Sequence, residues 1–312
     1  MADYPGGNTT AQTVTTNAVF IPELWSDDVI AAYKKNLILA NLVTKINHVG
    51  KKGDTIHIPV PGRGAASAKV KNVAVELIVD TATDLPLSID KHYEYSRMIE
   101  DIVDKQAIDS FRGFYTNDAG YALATQVDND LWALAEEFQG GTAGGTGAAL
   151  WETAVIGSDG STAYNGATSN AAALTDAGIR KMIQTLDDLD VPQTERVMVI
   201  PPVERNTLMG IARFTEQAFV GEVSGANTIR NGQIGDLYGI PVFVTSNSPT
   251  PQSGDRVGAI FHKDALAHIE QMSVRSQTSY KQEYLADLFT ADCIYGVGTL
   301  RNTSGIAFVV DA

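Results

Sequence analysis

The sequence predicts an α+β protein, and three patterns carry this prediction. Apolar residues alternate with polar ones in GDTIHIPV and in NVAVELIV, which is the period of paired strands. Apolar side chains return at helical spacing from Asp101 to about Phe138. Beyond residue 171, helix-like and buried strand-like stretches follow one another, which predicts a mixed α/β region.

The N-terminal stretch divides into an arm and a helix. Residues 1 to 20 are rich in Gly, Thr, Asn and Ala and contain little to bury, so we expect an arm that only another surface could order. From Trp25 to about Asn47, apolar residues recur at roughly helical spacing after an acidic opening, which predicts an amphipathic helix.

The two alternating stretches predict a long hairpin whose tip is PGRGAASAK. The hairpin has too few apolar residues to form a core of its own, so it needs a surface to lie on. Its basic residues are Lys51, Lys52, Arg63, Lys69 and Lys71.

A strand-like stretch, LSIDKHYEY, is followed by the helix predicted from Asp101 to about Phe138, which would be ~55 Å long. We expect its exposed face to be strongly acidic and therefore complementary to the basic hairpin. The acidic residues on it are Asp101, Asp104, Asp109, Asp118, Asp128, Asp130, Glu136 and Glu137.

The second half begins with residues 139 to 170, whose Gly, Ala, Ser and Thr content is typical of a linker or insertion. Next come a helix (TDAGIRKMIQTLDDLD), a buried strand (RVMVIP), a helix from Pro202, and strands in YGIPVFVTS and VGAIFH. The closing DCIYGVGTLRNTSGIAFVV predicts two strands, with Cys293 as a small apolar core residue.

Charge and composition exclude several classes of protein. The formal charge is -14, and residues 1 to 80 hold eight basic against seven acidic residues, so the excess lies beyond them. Such a surface disfavours tight binding to nucleic acid. A single cysteine excludes an intrachain disulfide, and the absence of a signal-like or long apolar stretch predicts neither export nor membrane insertion.

The sequence lacks the motifs of common catalytic and metal sites. It contains no Gly-x-x-x-x-Gly-Lys string, no Gly-x-Ser-x-Gly elbow and no His-x-x-x-His pair. The glycines between residues 140 and 147 lack the spacing of a phosphate loop. We therefore predict no enzyme activity, no cofactor and no catalytic, cofactor-binding or metal-binding residue.

The order of these features resembles the Hong Kong 97-type fold of tailed-bacteriophage major capsid proteins. The strings that carry the resemblance are FIPELWSDDV, KNLILANLV, GDTIHIPVPG, HYEYSRMIEDIVDKQ, GYALATQVDNDLW, QIGDLYGIPVFVTSN, FHKDALAHIEQMSVRS and YGVGTLRNTSGIAFVV. They span nearly the whole chain. The resemblance implies an N-terminal arm (1–25), a short helix (26–49), an extended loop (50–88), a peripheral domain with a spine helix (89–140), a Gly/Ser-rich insertion or linker (141–171), an axial domain (172–285) and C-terminal strands returning to the peripheral domain (286–312).

The implied function is self-assembly into hexamers and pentamers of an icosahedral shell that encloses double-stranded DNA without sequence-specific binding. Scaffolding, portal and cement proteins would be partners. The subunit would be made in the cytoplasm of a bacterial host, and the virion capsid would be its final location. Two alternatives remain: an encapsulin-type compartment shell, and a soluble α/β enzyme without a recognisable motif.

Two sets of residues are candidates for contacts between subunits. Our hypothesis pairs the basic residues Lys51, Lys52, Arg63, Lys69 and Lys71 with Asp101, Asp104 and Asp109 on a neighbouring spine helix, although exposed pairs contribute at most ~1 kcal/mol each. Some family members join a loop Lys to a neighbour's Asn by an amide bond. Here the resemblance offers Lys69 or Lys71 with Asn302.

Overall fold

A computed structural model describes residues 37–62, 64–75, 77, 82–102, 111–141, 151–166, 170–211, 235–251 and 254–311. The predicted arm, Arg63, Asp104 and Asp109 lie outside these residues. The helices are α1 (Leu39–Leu42), α2 (Phe111–Leu134), α3 (Asp176–Asp188) and α4 (Pro202–Met209). The strands are β1 (Thr44–Asn47), β2 (Thr55–Val60), β3 (Thr83–Ser88), β4 (Lys91–Glu100), β5 (Val155–Ile156), β6 (Arg196–Ile200), β7 (Asp236–Leu237), β8 (Ile240–Val244), β9 (Arg256–His262), β10 (Leu266–Lys281), β11 (Ala286–Thr299) and β12 (Gly305–Val310).

A four-stranded sheet in the order β1-β10-β11-β4 supports the long helix α2. β10 and β11 form a long antiparallel hairpin, and β4 pairs with β11 along all ten of its residues. Ala119 and Leu123 of α2 pack on Phe289, Ala291 and Cys293 of β11. The predicted long helix is thus confirmed over Phe111–Leu134, and so is the buried position of Cys293. Residues 101 and 102 are also helical.

A six-stranded sheet in the order β5-β12-β9-β6-β8-β7 forms the second core. β6 is buried along its whole length, as its continuous apolar run predicts. Thr175 caps α3 by accepting a hydrogen bond from the backbone N–H of Gly178 at 3.1 Å. A proline begins α4. The helices and strands predicted between residues 175 and 262 are therefore confirmed.

β2 and β3 form a separate two-stranded ribbon, in which Thr55 pairs with Ser88 and Val60 with Thr83. Leu87 at the base of the ribbon packs against Ala267 and Ile269 of β10. The ribbon is therefore anchored at its base to the four-stranded sheet.

A buried carboxylate joins the two sheets. Asp128 of α2 accepts hydrogen bonds from the backbone N–H of Leu39 and from Nδ2 of Asn247, both at 2.9 Å. Leu39 begins α1, and Asn247 follows β8 of the six-stranded sheet. Asp128 is almost fully buried, and burial raises its pKa. None of the described helices is both long and apolar enough to cross a bilayer.

Two predictions about the N-terminal half are wrong. Residues 44–47, predicted to end a helix, form β1, because Thr44 and Ile46 turn inward when the segment pairs in parallel with β10. The strand predicted for NVAVELIV is absent at its described residues 72–75 and 77. β2 pairs with 83–88 instead, where Leu85 and Leu87 alternate toward the core.

The predicted linker, 141–171, is partly core. Trp151, Ala154 and Tyr164 are buried, and β5 adds to the edge of the six-stranded sheet beside β12. The large aromatic side chains outweigh the local Gly and Ser content, since their burial removes much apolar surface from water.

Three further expectations need correction. β12, predicted to return to the peripheral domain, lies inside the six-stranded sheet, because all six of its residues are buried there. β10, assigned to an axial domain, pairs within the four-stranded sheet. The acidic face of the spine helix is not uniformly exposed, because Asp128 and Glu136 are buried. The hydrogen bonds that Asp128 accepts from Leu39 and Asn247 compensate for its burial.

Candidate functional site: assembly surfaces

The described residues contain no cluster of His, Cys, Asp or Glu that could hold a metal ion. The features that stand out are exposed surfaces. Three of them include predicted contact residues: the connection between β2 and β3, the segment before β2, and the end of the β10–β11 hairpin.

The connection between β2 and β3, residues 61–82, is here called the extended loop. Its described residues have no strand partner within the chain, and Val70 and Val73 are exposed. The ammonium group of Lys69 donates to the backbone carbonyl of Val70 at 2.6 Å and also to that of Val73. Both Lys69 and Lys71 are exposed, and Lys69 stabilises a turn of its own loop.

Lys51 and Lys52 lie in the exposed segment before β2. The side chain of Gln271 on β10 donates to the carbonyls of Lys51 and Gly53 at 3.1 and 2.9 Å. These two hydrogen bonds fix the backbone that carries the two lysines. Their position at the foot of the ribbon separates them from the turn that holds Lys69.

Asp101 lies beside the end of the β10–β11 hairpin. Its carboxylate accepts a hydrogen bond from the hydroxyl of Tyr280 at 2.8 Å, which raises the pKa of that tyrosine. Its backbone N–H donates to the carbonyl of Leu285 at 3.1 Å. Asp101 is exposed and thus accessible to a basic partner, although it already accepts one hydrogen bond.

An apolar surface that the sequence reasoning missed surrounds Asp101, and we call it the hairpin-tip surface. Its members, all exposed, are Met98, Ile102, Tyr280, Tyr284 and Leu285. We missed it because β10 was not predicted. The one available signal was the run of Val, Thr and Tyr in VRSQTSYK, residue types that favour strands.

Asn302 lies in a single 3-10 turn, Asn302–Ser304, between β11 and β12. The side chain of Gln139, at the end of the long helix, holds this turn by donating to the carbonyls of Thr303 and Gly305 at 3.2 and 2.8 Å. Among the residues that the structure describes, no hydrogen bond joins Asn302 to Lys69 or Lys71. The family resemblance implies an amide bond between two copies of the chain, which stays a prediction.

The upper part of the four-stranded sheet carries a polar ladder across three strands. Arg275 of β10 donates to both carboxylate oxygens of Asp292 on β11, at 3.1 and 2.8 Å, and His92 of β4 lies 3.3 Å from the same carboxylate. The bond from Arg275 is the main cause of the lowered pKa of Asp292. This ladder is structural, because it ties β4 to the hairpin.

Known proteins resemble this chain both in sequence and in fold. A family model described as phage capsid protein matches residues 65–307, most of the chain. No curated protein sequence matches.

Solved structures from three phages are similar in fold. That of Mycobacterium phage Che8 is 23% identical, covers 93% of this chain and 97% of its own, and has a TM-score of 0.70. The capsid of cyanophage P-SCSP1u is 18% identical over 99% of both chains, with a TM-score of 0.75. The mature capsid of bacteriophage PhiM1 is 13% identical over 99% of both chains, with a TM-score of 0.69. The chain belongs to the phage capsid protein family and has the Hong Kong 97-type fold of tailed-phage major capsid proteins.

Proposed function

We propose that copies of this chain assemble into hexamers and pentamers, which close into an icosahedral shell around double-stranded DNA. The observation that carries the proposal, beyond family membership, is the extended loop. It exposes apolar side chains that nothing in the described part of its own chain covers, so another subunit is the natural surface for them. Repeated modest contacts of this kind reinforce one another in a closed shell.

The proposed domains follow the two sheets with modified boundaries. The peripheral domain would contain α2 and the four-stranded sheet, and the axial domain would contain the six-stranded sheet with α3 and α4. Residues 1–25 would be the arm, and 50–88 the extended loop with its ribbon. Two buried cores, one beneath each helical layer, support this division.

The charge of the chain supports enclosure of DNA without adhesion. A formal charge of -14 repels phosphate, so we infer that the genome is confined without sequence-specific contacts. We also infer, from the family resemblance, scaffolding, portal and cement partners, and synthesis in the cytoplasm of the bacterial host.

Negative-stain electron microscopy and sedimentation of the expressed protein test the function directly. We expect closed shells or capsomer rings. A protein that stays monomeric both alone and with candidate scaffolding proteins would contradict the proposal. A co-purified enzyme inside the shells, in place of DNA, would favour the encapsulin-type alternative.

Within this function we propose that the basic residues Lys51, Lys52, Arg63, Lys69 and Lys71 contact Asp101, Asp104 and Asp109 of a neighbour. The exposed positions of Lys71 and Asp101 support the pairing. The double charge reversal K69E/K71E should slow assembly at low salt. The defect should shrink as the salt concentration rises, because salt screens exposed charges.

The matched control for this charge reversal is K181E with K263E, which changes the net charge equally but lies outside the loop. Light scattering during assembly compares the two variants. Equal rates and equal salt dependence would show that the loop charges only solvate a surface.

A further inference from the structure

An open, mainly apolar cavity of about 290 Å³ lies between α1, α2 and the hairpin of β10 and β11. Leu123 and Val127 of α2 line one side, and Met272 and Val274 of β10 line another. Gly120 of α2 also lines the cavity and keeps it open, because a Cβ atom at this position would meet no atom within 4 Å. A cavity of this size can hold a small molecule, and its apolar walls favour a mainly apolar one.

Most polar groups on the cavity walls already have hydrogen-bond partners. Both carboxylate oxygens of Asp128 accept N–H donors. The hydroxyl of Tyr295 donates to Asp130 at 2.8 Å, and Glu270 accepts a hydrogen bond from the hydroxyl of Ser273. An apolar ligand body could therefore cover these groups without leaving them unsatisfied.

His268 of β10 is the exception among the polar groups on these walls. Its ring lines the cavity beside Tyr295, with the ring centroids 5.7 Å apart, and among the residues that the structure describes no hydrogen bond reaches it. Burial lowers the pKa of His268, so the ring is mainly uncharged at neutral pH. An uncharged imidazole offers one N–H donor and one nitrogen acceptor to a ligand.

The charges near His268 favour a ligand without a net charge. Glu270 and Lys45 both act on the His268 ring, with opposite effects on its pKa. A charged head group would lose its hydration among apolar walls and would meet one of these side chains as a like charge. A hydroxyl group carries no charge and can either donate to or accept from the imidazole.

We propose that the cavity between α1, α2 and β10 binds a small uncharged molecule with an apolar body and one hydroxyl group, which forms a hydrogen bond with the ring of His268. The inference does not depend on the proposed shell, because the lining residues belong to one chain. A bound molecule would contact three elements at once and would therefore stabilise the folded subunit.

Titration calorimetry of unassembled full-length subunits with para-ethylphenol tests the site. We expect saturable binding, with a dissociation constant on the order of 0.1–1 mM for a ligand of this size. Carbon-13 labelling of histidine gives a second readout in the same subunits. The chain has only five histidines, and the signals of His268 should shift as the ligand binds. The anionic analogue para-ethylbenzoate should bind roughly tenfold more weakly.

Variants locate the binding within the molecule. G120L fills the cavity and should abolish binding. The matched control A133L adds the same side chain at an exposed position of α2 outside the cavity and should bind as the wild type does. H268F keeps a ring but removes the hydrogen bond, so para-ethylphenol should bind roughly threefold to tenfold more weakly. Ethylbenzene, which has no hydroxyl group, should bind H268F no more weakly than the wild type.

The absence of saturable binding of para-ethylphenol to the wild type would overturn the inference. Binding that leaves the signals of His268 unshifted would also overturn it, as would equal affinities of the wild type, G120L and H268F. If G120L does not fold, H268F and the histidine spectra of the wild type decide between these outcomes. Each of these negative results would leave the proposed shell intact.

Discussion

Glu204 on the first turn of α4 is fully buried. One oxygen, Oε2, accepts a hydrogen bond from the backbone N–H of Leu174 at 3.0 Å, and the other, Oε1, is buried. Burial raises the pKa of this carboxyl group, and the nearby charge of Asp311 acts in the same direction. Glu204 therefore holds its proton to a higher pH in the folded chain than in the unfolded chain.

The pH dependence of stability follows from this shift. Above the ordinary value of 4.5 the unfolded chain has lost the proton that folded Glu204 keeps. The free energy of unfolding should fall by up to about 1.4 kcal/mol per pH unit until the raised pKa is passed. E204Q is neutral at every pH and retains an acceptor for Leu174, so it should remove the share of the decline that Glu204 causes and leave that of Asp128. Urea unfolding of unassembled subunits at increasing pH measures it.

The control is E283Q, which removes a carboxyl group at an exposed position in the β10–β11 turn. Its unfolding should follow the wild-type pH profile. If E204Q and wild type decline in parallel, Glu204 is ionised in the folded state.

Individual acidic residues were the hardest part of the chain to predict. Ala119, Leu131 and Ala135, which recur at the predicted helical spacing, face the core. It could not show that Asp128 is buried, because its partners, Leu39 and Asn247, are distant in sequence. A carboxylate with two N–H donors can be buried at modest cost, and only the tertiary structure supplies those donors.

The extended loop is a separable element at the next scale. Val60 and Thr83 are paired neighbours at the end of the ribbon, so a two-residue Asn-Gly turn could join them in place of residues 61–82. The free energy of unfolding should change by only about 0.5 kcal/mol, because the described loop side chains are mostly exposed. Shell formation should be lost, as electron microscopy would show.

A control variant keeps the loop length and changes only Ala65 and Ala66 to Ser, which alters the tip but not Val73 to Leu77. This variant should assemble. Shells formed by the loop-deleted chain would show that the extended loop is dispensable for assembly.

Strand prediction succeeded where a strand is a short apolar run that is buried in the core. β6, β8 and β9 are short and apolar, and all three were predicted. β1 was mistaken for helix because its four residues become a strand only beside β10. The alternation at residues 73–77 predicted a strand that the described residues 73–75 and 77 do not form, because β2 pairs with β3 instead.

At the scale of the whole molecule, the order of the strands along the chain differs from their order within the sheets. The fold class was predicted, and the similar solved structures confirm it. The boundary predicted at residue 285 falls between β10 and β11, which are partners in one hairpin. Long antiparallel hairpins and a final strand that enters another sheet cannot be read from local patterns, because pairing partners are chosen by tertiary packing.

The position of β12 has a consequence for synthesis in the cell. It is the last strand along the described chain, yet it lies between β5 and β9 with all six residues buried. The six-stranded sheet therefore cannot close while the ribosome is still making residues 305–310, however early the preceding segments collapse. Chains that terminate early would expose the apolar flanks of β5 and β9. We expect chaperones and proteases to bind or degrade such chains, so that they do not enter shells.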